Sequence, residues 1–226
     1  MKSLAKQNPA LQVIGMSRSA KARDEEIKKM QNVSFVKGNC LDAESFRGHL
    51  VGVDAIIHCV GTLIESKTNP DLSYDAMNRD SAINMAGELH DIAFKEGVTK
   101  NFVMISSEKA PPFLEKYLTS KLEAERYILS DECSNLKPTI IRPGFIYDFS
   151  HRWWSLPLKI GVDSAWMLNE KVYKHSPFSK QTDFLFPAKS TKLSTVAHFA
   201  IEGALGRNEN KIITNEQMIK YESGAK

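Results

Sequence analysis

The sequence comprises 226 residues, of which 42% are hydrophobic and 25% are charged, with a formal net charge of +3. These proportions are typical of a folded globular protein, and they exclude an intrinsically disordered, collagen-like or fibrous chain. A chain of this length buries enough surface to fold as one domain, or as one domain with a small lobe. The near balance of charge excludes the strongly basic surface of a dedicated nucleic-acid-binding protein, so no nucleic-acid partner is expected.

The cysteines and histidines show no metal-binding spacing. Cys40, Cys59 and Cys133 are far apart, and no C-x-x-C motif occurs. We therefore expect reduced thiols, a reducing compartment and no metal site. No apolar run approaches the roughly 20 residues that span a bilayer, so no transmembrane segment is predicted.

Apolar runs of strand length alternate along the chain with amphipathic stretches of helix length. Runs that are apolar at nearly every position indicate parallel strands covered by helices on both faces, so the sequence predicts an α/β fold. Strands are predicted at 11–16, 33–36, 54–61, 101–107 and 138–142. Helices are predicted at 74–96, 115–130 and 193–205, with the end of a helix at 1–8 and a helix or loop at 22–31.

The amino-terminal segment is basic and contains no acidic residue before Asp24. This bias suits an organelle transit peptide. We favour the alternative that the segment belongs to the folded domain, because the predicted strand at 11–16 lies within it.

The alternation of strands and helices breaks after Gly144. Residues 149–190 contain several prolines and no clear period, so we expect an irregular lobe there, over the carboxyl ends of the strands. Trp153 and Trp154 suit core packing, a substrate lid, a membrane-contacting surface or a partner surface, and the sequence leaves these alternatives open. The predicted units are a main domain at 1–148 and a second lobe at 149–226.

Tyr117 and Lys121 lie four residues apart, so they share one face of a predicted helix. A neighbouring ammonium group lowers the pKa of a tyrosine, and this arrangement suits a general acid for carbonyl reduction. The pair follows a strand that ends in Ser106–Ser107 and precedes a strand that ends in Arg142–Gly144. This order of motifs is more specific than the Tyr-x-x-x-Lys spacing, which arises often by chance.

With this order of motifs, the sequence resembles the short-chain dehydrogenase/reductase superfamily in its extended or atypical branch. The segments Asp-Ala-Ile-Ile-His at 54–58 and Met-Asn-Arg-Asp at 77–80 belong to the same resemblance, which covers about residues 10–148. The resemblance implies a Rossmann-like, doubly wound parallel sheet and an NAD(P)-binding main domain.

The resemblance also assigns roles to individual residues. Ser107 would orient the substrate carbonyl, Tyr117 would donate the proton and Lys121 would hold the nicotinamide ribose. The catalytic candidates are Asn78, Ser107, Tyr117 and Lys121. The cofactor-binding candidates are Ser17, Arg18, Asn39, Cys40, His58, Gly61 and Pro143. Two alternatives assign no proton transfer: His58 as a hydrogen-bonded core or cofactor-edge histidine without acid/base work, and Arg142 as the partner of a carboxylate at the strand end.

The end of the strand at 11–16 bears on the choice of cofactor. An acidic residue there would bind the ribose 2′-hydroxyl of NAD(H), whereas Arg18 between two serines suits the 2′-phosphate of NADP(H). We therefore favour NADP(H) over NAD(H), with a solvated strand-end arginine as the alternative. Asn39 lies where the family commonly has an aspartate near the adenine, and its amide oxygen can also accept a hydrogen bond.

Three segments, 105–111, 117–125 and 141–148, extend the resemblance to a group of fungal mitochondrial proteins of the ubiquinone-biosynthesis complex. That group is itself similar to the nucleotide-binding accessory subunit of respiratory complex I. The resemblance implies a mitochondrial protein with partners in that complex, and peripheral contact with the inner membrane. It favours a component or modulator of the enzyme assembly, with an NADP(H)-dependent oxidoreductase of carbonyls or quinones as the alternative.

The sequence departs from the superfamily pattern in two places. Ten positions separate Ser107 from Tyr117, a short spacing from which we expect the two hydroxyls not to converge on one carbonyl oxygen. The first strand and its Gly-rich phosphate-binding turn have no counterpart, and no G-x-G-x-x-G occurs. We therefore expect a main domain that is incomplete at its amino end by about 30 residues, one strand-turn-helix unit. A remnant that binds no nucleotide is a third interpretation.

Overall fold

The structure is a computed structural model that describes residues 1–7, 9–22, 24–148, 155–173 and 186–224. The strands of this part of the chain are β1 (Val13–Ser17), β2 (Val33–Lys37), β3 (Ala55–His58), β4 (Lys100–Ile105), β5 (Leu136–Ile141), β6 (Ile146–Tyr147), β7 (Thr191–Lys192) and β8 (Ile212–Ile213). The α-helices are α1 (Lys2–Gln7), α2 (Glu25–Lys28), α3 (Ser81–Glu96), α4 (Glu115–Leu129), α5 (Ser155–Leu168), α6 (Leu193–Ala204) and α7 (Asn215–Glu222).

All the strand pairs in the described residues are parallel. β3, β4, β5 and β8 form a four-stranded sheet in that order, β1 pairs with β2, and β6 pairs with β7. The register aligns Ala55 with Asn101 in the first pair of the central sheet and Phe102 with Pro138 in the next. The parallel α/β architecture predicted from the apolar runs is confirmed.

The central strand β4 is buried on both faces. Phe102 and Met104 point into a core formed with α3 and α4, whereas Val103 points into a core formed with α6, α7 and β8. The members of the first core that are less than 2% exposed include Phe46, Ala82, Ala86, Leu89, Phe102, Met104, Ala124, Ile128 and Ile140. Helices on both faces explain why the strand sequence is apolar without alternation.

The predicted strands and long helices are present, with ends that differ by at most three residues except at the start of α3. The helix predicted from residue 74 is a π-helical turn at Asp75–Asp80 before α3 begins at Ser81. One difference is larger, because α5 is a regular 14-residue helix where an irregular lobe was expected. Its apolar residues do not gather on one face, since Leu158 lies on the side opposite Leu156 and Ile160, and all three are exposed. The sequence of α5 therefore lacks the apolar period by which a helix is recognised. Trp153 and Trp154 lie outside the described residues.

The carboxyl-terminal residues add to the central sheet. The two-residue strand β8 pairs with β5, and α6 packs against β4 and β5. Neither β8 nor α7 is predicted from the sequence, since two isoleucines are too short a run to distinguish a strand. The division of the chain at residue 148 stays a prediction.

In the described residues, no helix is both long enough and apolar enough to cross a bilayer.

Candidate active site

The candidate active site lies where the parallel strands β3, β4 and β5 end. Parallel strands that are neighbours in a sheet end at the same edge, so the segments that follow them come together there. The first turns of α4 lie against these segments. The residues that the sequence points to are thus contributed by three strand ends and two helices.

Lys121 is the best-anchored side chain of the site. It is 5% exposed, and its Nζ donates a hydrogen bond to the carbonyl oxygen of Ile105, at the end of β4, over 3.0 Å. Burial lowers the pKa of Lys121 to about 8, against the opposing effects of Cys59 and Glu125. The ammonium also lies 5.9 Å from the centre of the Tyr117 ring.

Tyr117 and Ser107 are brought together by the loop between β4 and α4. Burial raises the pKa of the Tyr117 phenol, and the hydrogen bond from the Ser107 hydroxyl acts in the opposite direction. The Ser107 hydroxyl donates a hydrogen bond to the Lys109 carbonyl over 3.1 Å, and a single 3₁₀ turn at Pro112–Leu114 leads directly into α4. The expectation that the two hydroxyls do not converge on one carbonyl oxygen stays a prediction. The phenol is protonated at neutral pH.

Asn78 is fully buried in a π-helical turn, Asp75–Asp80, that precedes α3. Its Oδ1 accepts a hydrogen bond from the Thr62 backbone amide (2.8 Å), and its Nδ2 donates to the Thr62 carbonyl (3.1 Å). A Cβ at Gly61 would lie 2.8 Å from Asn78 Oδ1 and 3.2 Å from Lys121 Nζ. Asn78 thus fixes the loop after β3, and the absence of a side chain at Gly61 lets this loop approach the buried ammonium.

His58 lies behind the site, at the end of β3. It is 3% exposed, and its Nε2 lies 3.2 Å from the Ser81 hydroxyl, which itself donates to the Met77 carbonyl. Burial, assisted by the positive charge of Lys121, lowers the pKa of His58 to about 3, so the ring is neutral. Its Nδ1 is buried and has no hydrogen-bond partner among the described residues, and the choice between a core and a cofactor-edge histidine stays a prediction.

The residues predicted to bind the adenosine end of a cofactor form a separate group, after β1 and β2. Ser17 and Arg18 are exposed, and no described acidic side chain forms an ion pair with Arg18. Asn39 uses its side chain locally, since its Oδ1 accepts from the Leu41 amide over 3.2 Å. Cys40 is half-buried, and Arg18 is one of its electrostatic neighbours. Ser17 and Arg18 lie at the carboxyl end of β1, and Asn39 and Cys40 follow the carboxyl end of β2.

Glu125 is a site residue that the sequence analysis missed. It is 2% exposed, accepts a hydrogen bond from Ser106, and forms a salt bridge with Arg142, whose Nε lies 3.0 Å from its Oε2. The alternative prediction that Arg142 pairs with a carboxylate is confirmed. A signal for Glu125 exists in the sequence, because it lies four residues after Lys121 on the same buried helix face.

Asn215 and Tyr74 are two further residues without a sequence signal. Asn215 Oδ1 accepts from the Gly144 amide over 2.9 Å, next to Pro143, and its Nδ2 donates to the Lys189 carbonyl over 2.9 Å. The Tyr74 ring packs edge-on against Tyr117, with 6.1 Å between the ring centres. Both residues come from distant parts of the chain, so only the fold relates them to the site.

Comparison with known proteins decides the family. A family model described as NAD(P)H-binding matches residues 1–153. The chain belongs to the NAD(P)H-binding family. In its described residues, no three histidine, cysteine or acidic side chains are grouped to hold a metal ion.

One curated relative of this NAD(P)H-binding protein is MIOREX complex component 2 of Saccharomyces cerevisiae, which is 26% identical. The alignment covers 62% of this chain and 65% of the yeast protein, so the chain spans less than two thirds of that relative's length.

Solved structures of short-chain dehydrogenases share the fold. Sorbitol-6-phosphate 2-dehydrogenase SrlD from Erwinia amylovora superimposes with a TM-score of 0.61 at 11% identity, over 95% of this chain and 93% of that one. A short-chain dehydrogenase from Leptospira borgpetersenii with bound NAD⁺ gives a TM-score of 0.61 at 10% identity, over 96% of this chain and 87% of that one. These similarities confirm the Rossmann-like fold.

The side chains present fit the two ends of a nicotinamide dinucleotide. Lys121 and Tyr117 supply donors at one end, where the lack of a side chain at Gly61 lets the loop after β3 lie close to the Lys121 ammonium. The exposed guanidinium of Arg18, which no described acidic side chain pairs, supplies a donor for an anion at the other end. The 226 residues contain no Gly-rich turn for the pyrophosphate between them.

The buried ammonium of Lys121 predicts a specific pH dependence of stability. Its folded pKa of about 8 lies below the ordinary lysine value of 10.5, so between these values the unfolded chain binds one proton more than the folded chain. The free energy of unfolding therefore gains a contribution that rises with pH across this window, up to about 3 kcal/mol.

Urea unfolding at a series of pH values between about 7 and 10.5 measures this contribution as the difference between the wild type and Lys121→Met. We expect the free energy of unfolding of the wild type to rise with pH relative to that of Lys121→Met across this window. The matched control is Lys116→Met, on the exposed side of the same helix, whose difference from the wild type stays flat. Parallel curves for the wild type and Lys121→Met would show that Lys121 keeps an ordinary pKa.

Proposed function

We propose that this protein is a nicotinamide-dependent oxidoreductase that reduces a carbonyl group, with Tyr117 as the proton donor. The observation that carries the proposal is the ring of Tyr117, whose phenol is protonated at neutral pH and whose centre lies 5.9 Å from the buried Lys121 ammonium. A general acid must hold its proton at the working pH and lie next to the group that receives it.

The proposed roles follow from what each side chain can donate. Ser107 orients the substrate oxygen by a hydrogen bond, and Tyr117 gives that oxygen its phenolic proton. The Lys121 ammonium stabilises the resulting phenolate electrostatically. A bound reduced nicotinamide supplies the hydride. The substrate carbon gains the hydride and the oxygen gains the proton, so a ketone becomes an alcohol. A quinone becomes a hydroquinone once the added hydrogen leaves that carbon as a proton and the second oxygen takes up a proton.

Asn78 takes a positioning role in this proposal. Its side-chain amide holds the loop at Gly61–Thr62, and its Nδ2 also lies 3.4 Å from the Ser120 hydroxyl on α4. The β3 loop and α4 are thereby linked one residue away from Lys121. We retain His58, Gly61 and Pro143 as proposed neighbours of the nicotinamide end, and Asn39 and Cys40 as proposed neighbours of the adenine end. The lobe at 149–226 is proposed to close over the substrate or to contact a partner.

Replacing Tyr117 with Phe removes only the proton donor, so we expect turnover to fall by about 10²–10⁴-fold. The measurement is NADPH oxidation followed by its near-ultraviolet absorbance with 2,3-dimethoxy-5-methyl-1,4-benzoquinone as the acceptor, together with calorimetric titration of NADPH. Cofactor affinity is expected to stay within about twofold, because the ring is retained. Tyr221→Phe, a tyrosine on the exposed side of α7, is the matched control and keeps full turnover. Equal rates for Tyr117→Phe and the wild type would rule out proton transfer by this tyrosine.

We also propose that the cofactor is NADP(H) and that Arg18 selects it. The support is the exposed guanidinium of Arg18, free of described ion-pair partners and flanked by Ser17 and Ser19 at the end of β1. A guanidinium binds a phosphate with charge-assisted, often bidentate, hydrogen bonds, whereas it gains little from a ribose hydroxyl.

Arg18→Ala is expected to weaken NADPH binding by about 10- to 100-fold, the loss of a charged hydrogen bond, and to leave NADH binding unchanged. Isothermal titration calorimetry with both cofactors measures the two affinities. Arg207→Ala, another exposed arginine, controls for the loss of one positive charge. A wild type that binds NADH as tightly as NADPH, or a variant that loses both equally, contradicts the NADP(H) assignment. Binding of neither cofactor by the wild type would favour the remnant interpretation.

A second proposed function is membership of a mitochondrial enzyme assembly for ubiquinone biosynthesis, as a component or modulator. The similarity of one relative to this chain supports it, because that yeast protein is named as a complex component. The resemblance of three sequence segments to fungal proteins of the ubiquinone-biosynthesis complex, and the peripheral inner-membrane location that it implies, support it as well.

Affinity purification of the tagged protein from isolated mitochondria tests this membership. We expect enzymes of the ubiquinone pathway among the co-purifying proteins, and a changed ubiquinone content when the gene is deleted. A tagged Tyr117→Phe variant separates the two proposals, since assembly without turnover predicts that this variant restores the ubiquinone content. Absence of pathway enzymes together with an unchanged ubiquinone content would exclude the assembly role.

A further inference from the structure

Two loops border the candidate active site, and both present large apolar side chains to solvent. The loop at 62–73 follows β3, and the loop at 106–114 connects β4 to α4. In the first loop Leu63 is 56% exposed and Ile64 is 81% exposed, and in the second Phe113 is 84% exposed. Ile64 and Phe113 are the two most exposed large apolar side chains in the part of the chain that the structure describes. We call Leu63, Ile64 and Phe113 the apolar rim.

Contacts of Tyr74 and Lys116 place the first loop beside Tyr117. The Tyr74 hydroxyl donates a hydrogen bond to the Leu63 carbonyl over 3.0 Å, and the Tyr74 ring is the one that packs edge-on against the Tyr117 ring. Lys116, the residue before Tyr117, donates from its Nζ to Glu65 Oε1 over 3.3 Å. The loop is therefore joined to the first turn of α4 at the position of the proposed proton donor.

The second loop brings Phe113 to the same place. Its last residues form the 3₁₀ turn Pro112–Leu114, which is closed by a hydrogen bond from the Leu114 amide to the Pro111 carbonyl over 2.8 Å. The ring of each of the two prolines fixes one backbone angle, which limits the motion of this turn. Phe113 lies four residues before Tyr117, so it adjoins the candidate site from the side of α4.

Hydrogen bonds within the protein hold the backbone of the first loop. The Thr62 amide donates to Asn78 Oδ1 over 2.8 Å, and the Thr62 hydroxyl donates to the Ile64 carbonyl over 2.6 Å. Glu65 Oε1 accepts from the Tyr74 amide over 3.1 Å. The polar groups of the loop are thus used internally, whereas the side chains of the apolar rim face solvent. A cluster of exposed apolar side chains beside a site indicates contact with a ligand.

We propose that the apolar rim binds a hydrocarbon chain carried by the substrate of the candidate active site. The carbonyl or quinone group lies at Tyr117, and the chain leaves the site between the two loops. Aliphatic and aromatic side chains suit such a ligand, because the free energy of burying hydrocarbon depends on area and needs no directional partner. This inference rests on the proposed reductase function, whose substrate it specifies.

A protein partner fits the apolar rim less well than a hydrocarbon chain does. A stable protein–protein interface buries about 800 Å² on each side, whereas a large side chain contributes at most about 150–250 Å². Three side chains therefore stay below the area that such an interface needs. One hydrocarbon chain requires no larger surface than the rim offers.

The charge of the two loops argues against an anionic lipid surface as the occupant. Residues 62–73 and 106–114 together contain three acidic and two basic side chains. Protein segments that adsorb to anionic bilayers carry an excess of Lys and Arg. The loops lack this excess, and the rim residues are themselves uncharged, as a neutral hydrocarbon chain requires.

The binding of two quinones that differ only in one alkyl group tests the proposal. The probes are 2,3-dimethoxy-5,6-dimethyl-1,4-benzoquinone and the same ring with a decyl group in place of the 6-methyl group. Each is titrated calorimetrically into the protein with NADP⁺ present and no hydride donor, so binding is measured without turnover. We expect the decyl quinone to bind at least about tenfold more tightly, the gain from burying about two methylene groups.

Ile64→Ser combined with Phe113→Ser removes most of the apolar rim. We expect this double substitution to reduce the ratio of the two dissociation constants to below about threefold, because less apolar surface meets the chain. The matched control is Val51→Ser combined with Phe94→Ser, whose side chains are 72% and 69% exposed. Val51 lies before β3 and Phe94 before β4, away from the strand ends that carry the site, so this control keeps the wild-type ratio. Circular dichroism checks that both double variants are folded.

Two results would overturn the proposal. The first is a ratio near 1 for the wild type, or a ratio that both double variants share. The second concerns flotation with vesicles of equal parts phosphatidylcholine and phosphatidylglycerol. If the rim variant loses vesicle binding but keeps the wild-type ratio for the two quinones, the occupant is a bilayer.

The turnover assay separates this inference from the reductase proposal. Tighter binding of the decyl quinone without any NADPH oxidation would contradict the reductase function and would still support a hydrocarbon-binding rim. NADPH oxidation with equal binding of both quinones would contradict the rim and leave the reductase function standing.

Discussion

The structure depends on the burial of β4 between two neighbouring strands and two layers of helices. A strand in this position must satisfy its backbone groups within the sheet and must carry apolar side chains on both faces. Lys100–Ile105 meets both conditions, because Phe102 and Met104 enter one core and Val103 enters the other. The polar residues Ser106 and Ser107 begin where this burial ends, and the candidate site is built at that edge.

The site itself consists of buried polar groups. Burial costs these groups their hydration, and their hydrogen bonds compensate for that loss. Removing one partner of a buried ion pair costs about 3–5 kcal/mol, so the Glu125–Arg142 pair strongly fixes the distance between α4 and the end of β5. Lys121 meets the same condition through the Ile105 carbonyl, and Asn78 through the Thr62 backbone. These bonds tie α4 to the strand ends, which positions Tyr117 beside Ser107.

The parallel strands of the described residues form separate sheets, and this division separates the two groups of candidate residues. Hydrogen-bonded strands surround the candidate active site, whereas the β1–β2 pair, which carries Arg18, is joined to it by no described strand pairing. The residues proposed to bind the two ends of the cofactor thus belong to two separate sheets.

The sequence by itself determined the α/β class, the main strands, and the candidates Ser107, Tyr117 and Lys121, because apolar periodicity and helical spacing are local properties. Tertiary structure alone decided that Lys121 bonds the Ile105 carbonyl, that Glu125 pairs with Arg142, and that Asn215 bonds Gly144, 71 residues away. Among the described residues, it also leaves one edge of β1 and one edge of β3 unpaired. Contacts of this kind depend on which distant segments burial brings together, and a one-dimensional pattern does not contain that information.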